Sequence, residues 1–327
     1  MRSIISVTKL PAILLVSLSL LSFKCGSTST PALAEKPSVT SFFTEKYFNG
    51  FFPMRDKFYT YAAFVKAVQQ LGQIKLKVEK RSVSIYKLTR TDKKTGIAKV
   101  IRQDDEWEEN WAKAKPYSVV EIDYGNFCSE KDLITNKKEL AAFLAHISHE
   151  TRHGENGKYN DGLMYTHELN TTLPYISDND TYPPVKGKLY YGRGPLQLSY
   201  NGNYGYASDC IFGDKTILLN NPDLITTDAV VAFETAIYFW MTPQTYKPSA
   251  HNVMADNWKP NADDVARGRT PGFGMTINIV NGAEECNKGE AVFAMTDRAG
   301  YYQYFLKKLG VSDNNCQCSC GKMQPYQ

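Results

Sequence analysis

The segment His149-Glu150-Thr151-Arg152-His153 sets a carboxylate between two imidazoles one helical turn apart, and two chemistries compete for it. On a helix running through His153 both rings would share a face, hold a zinc ion and leave Glu150 as the base of a metalloprotease. Gly154 and Gly157 argue against that continuation, Tyr159 stands where a third histidine would fall, and Glu168, the nearest substitute ligand, lies beyond further breakers. The second chemistry needs no metal. A carboxyl group at a half-buried helix end is stripped of water and feels the negative end of the helix dipole, and both favour the protonated form that a general acid requires. A solvated glutamate closing a helix is the inert alternative.

The element that must carry Glu150 is legible. Leu140, Phe143, Leu144 and Ile147 recur at helical spacing, and Glu150 falls beside Phe143 at the edge of their stripe. Asn136 followed by Glu139 reads as a capping-box start. Tyr59, Phe64, Val65 and Val68 predict an earlier helix over 59–71. Ile74, Leu76 and Val78, then Val83, Ile85 and Leu88, alternate instead, with a turn at Lys93-Lys94-Thr95-Gly96, and read as a hairpin insertion within about 73–127. From Lys131 the pattern is mostly helical, without internal repeat. One catalytic unit over 35–327 follows, ending in a cysteine-rich tail at 312–327.

With 43% hydrophobic and 13% aromatic residues among 327, the chain is composed to fold. Its formal charge of +4 is small and not gathered into a stripe, so no nucleic-acid partner is expected. Arg2 and Lys9 precede an apolar run, Leu10 to Phe23, too short to span a bilayer comfortably, and Ala32-Leu33-Ala34 offers a cleavage site. Residues 1–34 thus read as a secretory signal peptide, against a membrane anchor or a lipid on Cys25. Secretion to the extracellular space or a periplasm follows, with no stable membrane partner. Its removal would leave six cysteines, Cys128, Cys210, Cys286, Cys316, Cys318 and Cys320. An even set in an exported chain points to disulfides, of open pairing, over a metal clip.

Phe143 to Thr151 resembles the catalytic helix of the family 19 glycoside hydrolases, chitinases in which the glutamate after histidine is the general acid. Tyr190-Tyr191-Gly192-Arg193-Gly194-Pro195-Leu196-Gln197-Leu198-Ser199 resembles that family's most recognisable string. Phe239 to Gln244 resembles another segment and Gly272 to Cys286 a fourth, while Phe52-Pro53 and Tyr59 to Phe64 are similar to the opening helix. The resemblance runs from about Tyr47 to Val311, with only the hairpin outside it.

It implies a mainly α (α+β), lysozyme-like fold of two lobes around a cleft, and endo-acting, inverting hydrolysis of chitin, the β-1,4-linked N-acetylglucosamine polymer. Glu150 matches the acid, Glu168 the base and Ser199 the residue that helps hold the attacking water. His149, Tyr182, Tyr190, Gln197, Asn203 and Asn281 match sugar-binding positions. Arg193, Glu285 and Arg298 match buried charges that bond to one another and hold the catalytic carboxylates, and Cys286 is implied to bridge a tail cysteine. A monomer needing no metal or organic cofactor is expected. Arg152 and His153 depart from the family's paired glycines, and Gly202 from a common tyrosine. A peptidoglycan-cleaving lysozyme or endolysin and a non-catalytic carbohydrate-binding protein are the rival readings.

Overall fold

The computed structural model describes residues 37–81, 84–154, 157–244 and 246–326. The signal-peptide reading of 1–34, Cys25 and Val83 lie outside them. Thr60 opens α1 (Tyr61–Leu71) by accepting from the Ala63 amide, and Ala63, Phe64, Ala67 and Leu71 form its buried face. Asp132 caps α2 (Leu133–Thr151), accepting from the amides of Ile134 and Thr135. The expected capping box at Asn136 and Glu139 is therefore corrected. Asn136 folds back onto the Lys131 backbone, and Glu139 is buried, accepting from Trp240 Nε1 and His251 Nδ1. Residue types suited to a cap are used here for tertiary contacts.

Among the further helices of the described residues, five frame the site: α3 (Asn201–Phe212), α4 (Ala229–Met241), α5 (Ala250–Met254), α6 (Phe273–Glu285) and α7 (Phe293–Leu309). α4 is buried on nearly all sides, which is why its sequence is an almost unbroken apolar run. α2 packs chiefly on α7 and α1 on α4, while Phe43, Phe48 and Phe233 surround Phe64 in the core. α7 stops at Gly310, whose φ of 67° is open to glycine at little cost.

The expected hairpin is half of a larger element, a four-stranded antiparallel sheet of order β3-β2-β1-β4. It comprises β1 (Ile74–Arg81), β2 (Ile85–Asp92), β3 (Ala98–Gln103) and β4 (Tyr117–Asp123), with the Lys93–Gly96 turn joining β2 to β3. Ile74, Leu76, Val78 and Leu88 join the main core, whereas Ile85 packs in a small cluster with Trp107 and Ala112. β3 and β4 are largely solvent-facing, so neither carries the alternation that would reveal it.

Disulfides join Cys286 to Cys320, tying the end of α6 to the tail, and Cys316 to Cys318. Cys128 and Cys210, expected as bridging cysteines, are instead free and fully buried, and burial pushes both thiols well above the usual range. They fill the core as small hydrophobes. Among the described residues no helix is long and apolar enough to cross a membrane.

Candidate active site

α2 ends at Thr151, one residue past Glu150, with Arg152 already extended. The Glu150 side chain is 20% exposed, and its Oε1 accepts from Arg298 Nη2 of α7 at 2.5 Å. Arg298 is fully buried and also donates to Glu285 of α6, at 2.8 to 3.1 Å, and to His146 Nδ1 at 3.1 Å. A buried guanidinium short of partners would be costly, and this one is matched on every side. Burial acts to raise the Glu285 carboxyl, but Arg298 outweighs it and holds the group below the usual carboxylate range. Asn281, at a kink in α6, donates to Glu285 Oε1 at 3.0 Å.

Because arginine only donates, His146 Nδ1 must accept, so its Nε2–H donates to Thr276 Oγ1 at 2.8 Å, and Thr276 donates to the Phe273 carbonyl at 2.6 Å. Burial and then Arg298 hold His146 well below its ordinary range, which keeps it neutral in this chain of donors. His149 donates from Nδ1 to Asp297 at 2.7 Å, and Arg152 bonds the other oxygen of Asp297 at 3.1 Å.

Glu168 is stitched to the glycine-containing string. Its amide donates to the Gly192 carbonyl at 2.9 Å, and the Gly194 amide donates to the Thr166 carbonyl at 2.8 Å. Its Oε2 accepts from Tyr175 Oη at 3.0 Å, while Oε1 is buried without a protein partner. Burial, then the hydrogen bond and charge of Glu168, raise the Tyr175 phenol. Gly192 lies so close that a Cβ there would stand 2.9 Å from Gln197 Oε1 and 3.4 Å from Ser199 Oγ. Ser199 Oγ donates to the Gln197 carbonyl at 2.9 Å, Gln197 Nε2 to the Gly194 carbonyl at 2.7 Å and Asn203 Nδ2 to the Ser199 carbonyl at 2.8 Å. Leu163, Tyr175, Gln197 and Tyr200 all hold positive φ, between 48° and 71°. Backbone strain is concentrated around this loop, as it is at many functional sites.

Several expected roles are corrected. Tyr190 is fully buried, and its hydroxyl donates to the Leu219 carbonyl and accepts from the Val185 amide, which makes it a core residue and not a sugar contact. Tyr182 is 3% exposed, its ring pressed against Gly205. Arg193 does not join Glu285 and Arg298. It bonds Asp223 and Tyr204 and lies 3.6 Å from the Tyr191 ring centroid, bracing the string from behind. His153 falls beyond the helix and bonds Tyr165, so it shares no helical face with His149. Sequence reasoning missed Tyr175, His146 and Asp297. His146 lay at helical spacing from Glu150, but the other two carry no local signal.

The sequence model of the family described as chitinase class I, glycoside hydrolase family 19, matches residues 108–318. The chain belongs to glycoside hydrolase family 19. The match starts later than the expected Tyr47, leaving β1 to β3 ahead of it. This family 19 chain is 46% identical over 208 residues to Chitinase 3 of Oryza sativa subsp. japonica, covering 62% of this chain and 63% of that protein. It is 44% identical over 207 residues to a basic endochitinase of Vitis vinifera, covering 62% and 64%. The chain thus spans less than two thirds of the length of these relatives. The structure of chitinase C from Streptomyces griseus HUT6037 superposes with a TM-score of 0.57 at 28% identity, covering 85% of this chain and 80% of that one. A class IV chitinase from Zea mays gives 0.52 at 25% identity, covering 85% and 96%. The family 19 chain shares their mainly helical, lysozyme-like fold.

Proposed function

We propose that this chain is an endo-acting, inverting chitinase, in which Glu150 protonates the leaving glycosidic oxygen and Glu168 activates water. The observation that carries the reading is the shared Arg298. Its contact occupies Glu150 Oε1 and leaves Oε2 as the oxygen that delivers the proton, and the guanidinium stabilises the carboxylate formed as that proton is transferred. In Glu168, Tyr175 occupies Oε2, and Oε1 is the oxygen left to take a proton from water. Ser199, already donating to Gln197, offers lone pairs to that water. An inverting enzyme keeps its carboxylates about 6.5 to 9.5 Å apart so that the water fits between them. Gln197, Asn203 and Asn281 supply amides for the acetamido groups, and His149 orients beside Glu150 through Asp297. The protein works as an exported monomer, residues 1–34 directing its secretion.

The test is hydrolysis of N-acetylglucosamine hexamer with product anomers followed by NMR, for the wild type and Glu150→Gln. Initial α-anomers from the wild type, with activity about 100- to 10,000-fold lower in the variant, are expected, since such a proton transfer contributes about that much and Glu139, the other acid on α2, is buried against Trp240 and His251. Initial β-anomers, or a variant retaining most of its activity, overturn the assignment. Cleavage of peptidoglycan with no cleavage of the hexamer would move the substrate class.

A further inference from the structure

The sheet is docked onto the same helix whose first turn borders Ser199. Arg90 donates to the Cys210 and Ile211 carbonyls at 3.2 and 3.1 Å, and Lys99 to the Gly213 carbonyl at 3.0 Å. These cations satisfy the carbonyl end of α3 and complement its dipole. With Leu76, Val78, Leu88 and Ile122 in the main core, the sheet is a fixed part of the body.

The core covers only part of that sheet face, and the rest borders a cavity. Val78, Lys80, Tyr86, Arg102 and Val120 line one side of a cavity of about 890 Å³, within the range of ligand sites. The register sets Lys80 opposite Tyr86, and Val78 opposite Val120, so these side chains share one face of the pleat. Tyr200, Gly202 and Asn203, which follow Ser199 closely in the chain, line it too, as do Tyr246, Lys247 and Trp258. Lys247 bonds the Ile279 carbonyl, two residues from Asn281.

The wall is held in place before any ligand arrives. Asp104 accepts a two-pronged bond from Arg102 at 2.7 and 3.0 Å and one from the Tyr86 amide at 2.8 Å, and the Arg102 guanidinium lies 4.9 Å from the Tyr86 ring centroid. The lining pairs aromatic rings with the neutral amides of Asn179, Asn203 and Gln244. Its charged side chains are engaged within the protein: Asp264 by Arg269 and Tyr326, Arg102 by Asp104, Lys247 by the Ile279 carbonyl and Lys80 over the Tyr86 ring. Rings for pyranose faces and amides for acetamido groups describe an uncharged, N-acetylated glycan.

We infer that the inserted sheet forms one wall of a trough that continues the substrate cleft past Ser199 and grips the distal sugars of an N-acetylated chain. This rests on the chitinase reading. The trough makes the protein discriminate by chain length, and the family match carries none of it from β1 to β3, which precede residue 108.

The test is calorimetric titration of N-acetylglucosamine trimer and hexamer into the Glu150→Gln protein, alone and combined with Val120→Trp, which fills the trough from β4. Val120 is a partly exposed strand residue, and Ser84→Trp, on an exposed turn at the rim, is the second variant should the first fold poorly. The expected result is hexamer affinity reduced about tenfold or more, with trimer affinity changed less than about twofold. Equal losses for both oligomers, or no loss for either in a folded variant, overturn the inference while wild-type hydrolysis of the hexamer leaves the chitinase reading intact. No binding of either oligomer together with no hydrolysis sinks the functional reading and the trough with it.

Discussion

His251 of α5 gives the chain a stability that is lost at alkaline pH. Its Nδ1 bonds Glu139 at 2.7 Å and its Nε2 bonds Glu130 at 2.8 Å, and a ring that donates from both nitrogens is an imidazolium. Burial opposes the charge, but the attraction of Glu139 and the hydrogen bonds to both carboxylates outweigh it and push the ring up to about 9. Against the ordinary 6.5, that gap corresponds to about 3 kcal/mol. Between those two values the native chain holds a proton that the unfolded chain has released. The stabilisation is therefore complete below about pH 6.5 and is lost as pH rises through about 9. His251→Gln removes the titration while keeping a polar side chain of similar reach. Urea midpoints from about pH 5.5 to about pH 9.5 measure it, read by tryptophan fluorescence, to which Trp240 contributes through its bond to Glu139. The wild type should lose about 3 kcal/mol more than the variant across this range. Parallel curves for the two proteins would refute the argument, whatever the offset between them.

Glu234 is buried in α4, and burial followed by the charge of Asp228 pushes its carboxyl up to about 8. The unfolded chain releases that proton near 4.5, so stability falls as pH rises from about 4.5 to about 8; Glu234→Gln should gain on the order of 5 kcal/mol at pH 9 and almost nothing at pH 4, read by the same urea midpoints. Tyr175→Phe removes the hydroxyl on Glu168 Oε2 and should lower kcat about tenfold with KM changed less than about twofold; an unchanged kcat in steady-state assays would show that this bond does no catalytic work. Cys286→Ser opens a bridge spanning 34 residues and should cost about 3 to 4 kcal/mol in chemical unfolding, a loss that reductant should reproduce in the wild type.

Local pattern was sufficient for much of this molecule. The apolar stripe of α2, the end of that helix near Glu150 and the core-facing residues of β1 were legible because burial on one side of a regular element repeats at the period of that element. The ordered family motifs singled out Glu150, Glu168 and Ser199 as candidates and grouped Arg193 with Glu285 and Arg298, of which the last two meet and Arg193 does not. What remained illegible depends on partners far along the chain. Arg298 lies 148 residues from Glu150, and nothing in either neighbourhood reports the contact. Glu139 has the type and spacing of a cap, yet Trp240 and His251, over a hundred residues away, make it a buried acceptor. Tyr190 and Arg193 sit inside the most recognisable string, but the packing of Leu219, Tyr204 and Asp223 around them turns one into core and the other into a brace. Sequence determined which side chains are the candidates for the chemistry and the helix that presents Glu150. Tertiary structure decided which charges meet, which cysteines pair and that the inserted strands border a cavity, because those outcomes depend on distances that only the closed chain defines.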